Sequence, residues 1–114
     1  MIIRQDQMAI LTQDRLKRFE DGMAAHLNRC FPQECEALSE SEMQYVIRDG
    51  IERAAALGID LERDVCKFID LMFAFGRDFD SNPDLPWVSG ILEDDSFKNS
   101  TAKMEHLFEA AMLQ

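Results

Sequence analysis

Between Leu61 and Phe79 almost every position is apolar except along one narrow stripe, and that arc constrains the whole chain. Arg63, Lys67, Asp70, Ala74 and Arg77 recur at steps of three and four residues, the period of an α-helix. Val65, Cys66, Phe68, Ile69, Leu71, Met72, Phe73, Phe75 and Phe79 fill the rest of the circumference. A helix with so wide an apolar arc must touch several neighbours, so the spacing predicts a central helix with others packed around it. No segment alternates like a strand for more than a few residues, which makes the chain all-α.

The neighbours follow from the same period. A first helix is predicted from about Gln5 to Cys30, with Met8, Thr12, Phe19, Met23, His26 and Cys30 on one face, flanked by Leu11, Leu16 and Leu27. Pro32 ends it, because proline disfavours helical geometry in the residue before it. The loop FPQECEAL leads to Ser39 and Glu42, spaced as a capping box in which each side chain satisfies a backbone N–H. The second helix carries Met43, Val46, Ile47, Ile51, Ala54 and Ala55 on one face. Gly50 lies in that stripe, where a missing side chain lets another helix come close. Gly58 closes the helix as a left-handed cap.

Asp60 is placed to cap the central helix. Beyond it, Pro83 and Pro86 bracket a turn, and Asp84 is placed to cap a short helix over PWVSGILE. A last helix follows Asn99 and Ser100, turning Met104, Leu107, Phe108, Ala111 and Met112 inward. The expectation is a single helical domain over residues 1–114, a compact bundle of four main helices and one short helix.

Charge narrows the partners. With 22 acidic against 12 basic side chains the formal charge is −10, which disfavours nucleic acid and anionic membrane surfaces. No stretch approaches the roughly 18 apolar residues of a spanning helix. The N-terminal MIIRQDQMAILTQ lacks the pattern of a secretory signal. Three sparse cysteines, Cys30, Cys35 and Cys66, read as reduced thiols, so a cytoplasmic protein is expected.

Candidate chemistry is thin. In DFDSNPDLPWVS, Asp78, Asp80 and Asn82 fall at the first, third and fifth positions of a calcium loop. Pro83 then stands where the sharp turn needs glycine, and Ser89 where a bidentate glutamate is needed, so the stretch reads as a turn. His26, Cys30, Cys35 and Cys66 would supply a Cys3His set, but their spacing matches no common zinc pattern. No metal or cofactor is expected. His26 and Cys30, four apart on one face, meet the first requirement of a base beside a nucleophile. The apolar stripe around them predicts burial, which argues against a reactive thiol. His106 reads as solvated. The acidic pairs Glu20–Asp21 and Asp78/Asp80 and the run Glu93–Asp95 read as solvated faces.

Eight phenylalanines and seven methionines are the more informative excess. Most belong to a core, yet the central arc exceeds what one-sided packing requires. Phe73, Phe75 and Trp87 are therefore candidate anchors for a protein partner, with Arg77, Asp78 and Asp80 as a polar rim. Homodimerisation through the same patch is a further outlet.

The run LMFAFGRDFD, followed by LPW and IL, together with Arg18-Phe19-Glu20, Met23, His26-Leu27 and Phe31-Pro32, resembles small helical proteins of bacterial type VI secretion gene clusters, encoded beside the VgrG spike and its effector genes. The resemblance implies a non-enzymatic adaptor or chaperone that binds an effector, or the effector's own adaptor. Two other classes stay open: an immunity protein that blocks a toxin with Asp78, Asp80 and Asp84, and a small metal-binding or hydrolytic protein built on His26 and the cysteines.

Overall fold

A computed structural model describes residues 13–59 and 61–114. Among them the secondary structure is entirely helical: α1 (Gln13–Cys30), α2 (Pro32–Glu36), α3 (Glu40–Ala56), α4 (Glu62–Phe75), α5 (Pro86–Leu92) and α6 (Ser100–Met112). None of these helices is long and apolar enough to cross a membrane. The expected start of the first helix, with Met8, Leu11 and Thr12, and the Asp60 cap lie outside the described residues.

The central position of α4 follows from its arc. Val65, Phe68, Ile69, Leu71 and Met72 are buried, and the helix packs against α3, α6 and α1 at once. α3 presents Met43, Val46, Ile47, Ile51 and Ala54 to it, the face its periodicity predicts. At the crossing a Cβ added to Gly50 would sit 2.7 Å from Ile69 Cγ1 and 3.0 Å from the Met72 sulfur. Only glycine allows the two helices this approach.

The helix ends are fixed locally. The Ser39 hydroxyl accepts from the Glu42 N–H at 3.1 Å, and the Glu42 carboxylate accepts from the Ser39 N–H at 2.8 Å, completing the capping box. Those bonds hold the Glu42 carboxyl below the usual carboxylate range. At the other end of α3, Gly58 has φ 82°, the Gly58 N–H bonds to Ala55 O and the Ile59 N–H to Ala54 O. This is a Schellman closure, and it delivers Ile59 into the core. The Asn99 side chain caps α6 by accepting from the Ala102 N–H at 2.8 Å.

Several expectations are corrected. FPQECEAL is not all loop: Pro32 starts the five-residue helix α2, since proline's fixed φ suits a first helical position. The central helix stops at Phe75, four residues early, because Gly76 takes φ 109°. Phe79 is nonetheless buried, its ring folded back to 5.0 Å from Phe68. Asp84 does not cap α5, whose N-cap position is Leu85 with no side-chain bond. The Asp84 N–H instead donates to the Asn82 side chain at 2.9 Å, so Asn82 does stabilise the turn.

Two buried carboxylates have no counterpart in the sequence reading. Glu20 is not on a solvated face: it is buried and bonds the Arg48 guanidinium, tying α1 to α3. Asp64 is fully buried, and its Oδ2 accepts the Thr101 hydroxyl at 2.6 Å, tying α4 to α6.

Candidate protein-docking groove

Where the C-terminal halves of α1, α4 and α6 converge, the surface opens into a groove of about 430 Å³. α1 contributes His26 and Cys30, one turn apart, with Phe31 at its end. α4 contributes Asp70 with Ala74 and Leu71 with Phe75, again at i, i+4 spacing. α6 supplies Phe108, Ala111 and Met112 from its last turn. The walls are therefore mostly apolar, with His26 and Asp70 at one end. Met112 was expected inward but is 75% exposed, and Leu113 beyond it is 85% exposed. Phe108 and Ala111 on the same stripe still pack against the core, so the exposure begins at the last residue of α6.

The sequence-predicted residues divide among different surroundings. Phe75 reaches this groove and meets Trp87 edge-on, with ring centroids 5.6 Å apart. Phe73, two residues earlier and so on another face of α4, packs on Phe31 at 5.7 Å. It lines a smaller groove of about 220 Å³ with Leu38, Val46 and Arg77. The Arg77 guanidinium lies 5.5 Å from the centroid of the exposed Tyr45 ring. Asp78 is exposed. Asp80 is held by the Arg53 guanidinium, which also donates to the Arg77 carbonyl and approaches Asp49. Phe75 and Trp87 are thus neighbours on one side, whereas Phe73 and Arg77 belong to another and Asp80 is engaged within the fold.

A third groove, about 550 Å³, lies between α1 and α4 over Phe19 and Met23. Its rim is charged, with Arg18, Glu62, Arg63 and Asp70. His26 and Asp70 face both this groove and the apolar one. His26 Nε2 lies 2.9 Å and 3.1 Å from the two Asp70 oxygens. Against a carboxylate acceptor, Nε2 must carry the proton and donate. Burial pushes the Asp70 carboxyl up, and the His26 ring opposes that shift by charge and hydrogen bonding.

The cysteines separate into two kinds. Cys35 is buried; burial and then the Glu34 charge push its thiol up. Cys66, half-buried between α1 and α4, is pushed up to about 11 by burial, then by Asp70 and Glu62. Both hold their protons at neutral pH. Cys30 was expected in the buried stripe but is exposed. It sits at the last helical position of α1, beside Phe31, which turns in to pack on Phe73.

The Cys66 shift has a measurable consequence. The ordinary thiol value of 9.0 rises to about 11 in the fold, so between those values the folded state holds more protons than the unfolded chain. Stability therefore falls as pH rises through that window. Chemical denaturation of Cys66→Ala between pH 9 and 11 is expected to show a smaller alkaline loss than the parent, by roughly 1 kcal/mol after allowing for partial solvent screening.

Among the described residues no cluster of histidine, cysteine and carboxylate side chains is arranged to hold a metal ion. No family model, curated protein or solved structure matches the chain.

Proposed function

We propose that the protein is a non-enzymatic, cytoplasmic binding factor that holds an apolar segment of a protein partner in the α1–α4–α6 groove. What supports this reading is the exposure of Met112 and Leu113 beside a groove walled by Phe31, Phe75 and Phe108. Methionine and aromatic side chains in that setting adapt to and anchor a partner's apolar residues. The groove is bounded by helix faces, which suits an amphipathic helix laid against it. The resemblance to type VI secretion accessory proteins gives the partner class: an effector, or the adaptor that carries it.

This places the anchors differently from the sequence reading. Phe75 stays at the groove, Trp87 buttresses it, and Met112 joins it, while Arg77 and Asp80 serve the turn after α4. The acidic-plug alternative is less favoured because Asp80 is already neutralised by Arg53.

The test is co-purification from the native host with two exposed substitutions. Met112→Glu puts a charge into the apolar surface and is expected to weaken capture of a stoichiometric partner at least about tenfold. Asp84→Asn is expected to leave capture unchanged. Loss with Asp84→Asn and retention with Met112→Glu would replace the docking reading with the acidic one.

A further inference from the structure

Three features stand outside that reading: the charged groove between α1 and α4, the buried Asp64, and the thiol beside the His26–Asp70 pair. The third goes furthest. Cys30 is exposed, its sulfur lies 3.9 Å from each ring nitrogen of His26, and Asp70 accepts from Nε2 of that ring at 2.9 Å. Thiol, imidazole and carboxylate thus follow one another in the order of an assisted nucleophile. With Nε2 donating to Asp70, Nδ1 is the nitrogen left to take a proton. The equal distances leave the sulfur aimed at neither nitrogen. Activation requires a Cys30 rotamer that brings the sulfur onto Nδ1, and exposed side chains change rotamer rapidly. Moreover, Cys30 is itself part of the wall of the apolar groove.

We propose that Cys30 is an acyl-accepting nucleophile, activated by His26 and positioned by Asp70, and that the same apolar groove, when free of the partner segment, holds the chain of an acyl thioester. His26 Nδ1 removes the Cys30 proton as the sulfur attacks the thioester carbonyl carbon. The new C–S bond forms and the bond to the donor's sulfur breaks. The departing thiolate takes the proton back from His26, leaving S-acyl-Cys30 and a free thiol. No oxidant or reductant enters. Phe31, Phe75, Phe108 and Met112 give the chain an apolar bed, so long acyl groups are preferred over acetyl.

The experiment uses the full chain with dodecanoyl-coenzyme A and, separately, acetyl-coenzyme A, read by intact mass and peptide mapping over time. The expected result is one acyl group per chain, on Cys30, released by hydroxylamine and added at least about tenfold faster from the long donor. Cys30→Ser abolishes it and Cys66→Ser does not. His26→Gln slows it at least about tenfold. Asp70→Asn changes the pH dependence of the rate, a readout that a merely structural contact would leave alone. Should His26→Gln fail to fold, the pH profile of Asp70→Asn and the ratio of the two donors on the parent chain still decide. Labelling spread over all three cysteines, an unaltered rate in His26→Gln, equal rates from the two donors, or no acylation would each overturn the proposal.

Discussion

Replacing Phe68 with alanine is expected to cost about 3–5 kcal/mol, measured as the change in unfolding free energy by chemical denaturation. The ring is fully buried on the central helix, 5.0 Å from Phe79, which the turn after α4 folds back onto it. Its loss removes transfer free energy and leaves a cavity that Phe79 alone cannot fill, because Phe79 is tethered by its own short turn. A domain of this size has about 5–15 kcal/mol in total, so the loss removes a large fraction of it. A loss under 1 kcal/mol would mean that α4 is not the centre of the core.

The second large effect comes from a side chain added rather than removed. Gly50→Val is expected to lose about 3 kcal/mol, near the upper end of overpacking costs. Its Cβ meets Ile69 Cγ1 at 2.7 Å, and valine adds two methyl groups beyond a Cβ that is already too close. Gly50→Ala loses less, since alanine regains about 0.5–1 kcal/mol of helix propensity against the clash. The control has the opposite sign. Gly22 is also inside a helix, but nothing lies within 4 Å of a Cβ there. Gly22→Ala is therefore expected to stabilise by about 0.5–1 kcal/mol. Equal effects at the two positions would contradict the close packing of α3 on α4.

These contrasts show what the chain discloses about its own fold. The Ser39–Glu42 box, the Gly58 closure, the start of the last helix after Asn99 and the close approach at Gly50 were all legible. Each depends on residues a few positions apart or on one helix stripe. The long-range polar pairs were not. Glu20 and Arg48 are 28 positions apart; the helical period puts Glu20 on the side of Leu16, Met23 and Leu27 and Asp21 off it, but it does not name Arg48 as the partner. Asp80 and Arg53 pose the same problem across 27 positions. An acidic run can be recognised from sequence, but which of its members finds an arginine depends on how the helices cross.

The ends of stripes were the other blind spot. Periodicity assigns Cys30 and Met112 to inner faces, and both do lie on the extension of those faces. A stripe records direction, not whether a neighbour is still present at that height along the helix. Cys30 is the last residue of α1 and Met112 the last of α6, and both are exposed although Phe31 and Phe108 near them still pack on the core. Phe73, Arg77 and Asp80 were grouped with Phe75 and Trp87 because periodicity alone does not say which neighbours each face of α4 meets.

The docking claim is tested most directly by a photo-crosslinking amino acid placed at Met112 and, in a separate variant, at Asp84, each expressed in the native host. Crosslinks identified by mass spectrometry from position 112 to an apolar helical segment of one stoichiometric protein, absent from position 84, are the result predicted here. Crosslinks from position 84 alone, or none from position 112 beyond a second copy of the same chain, would contradict it.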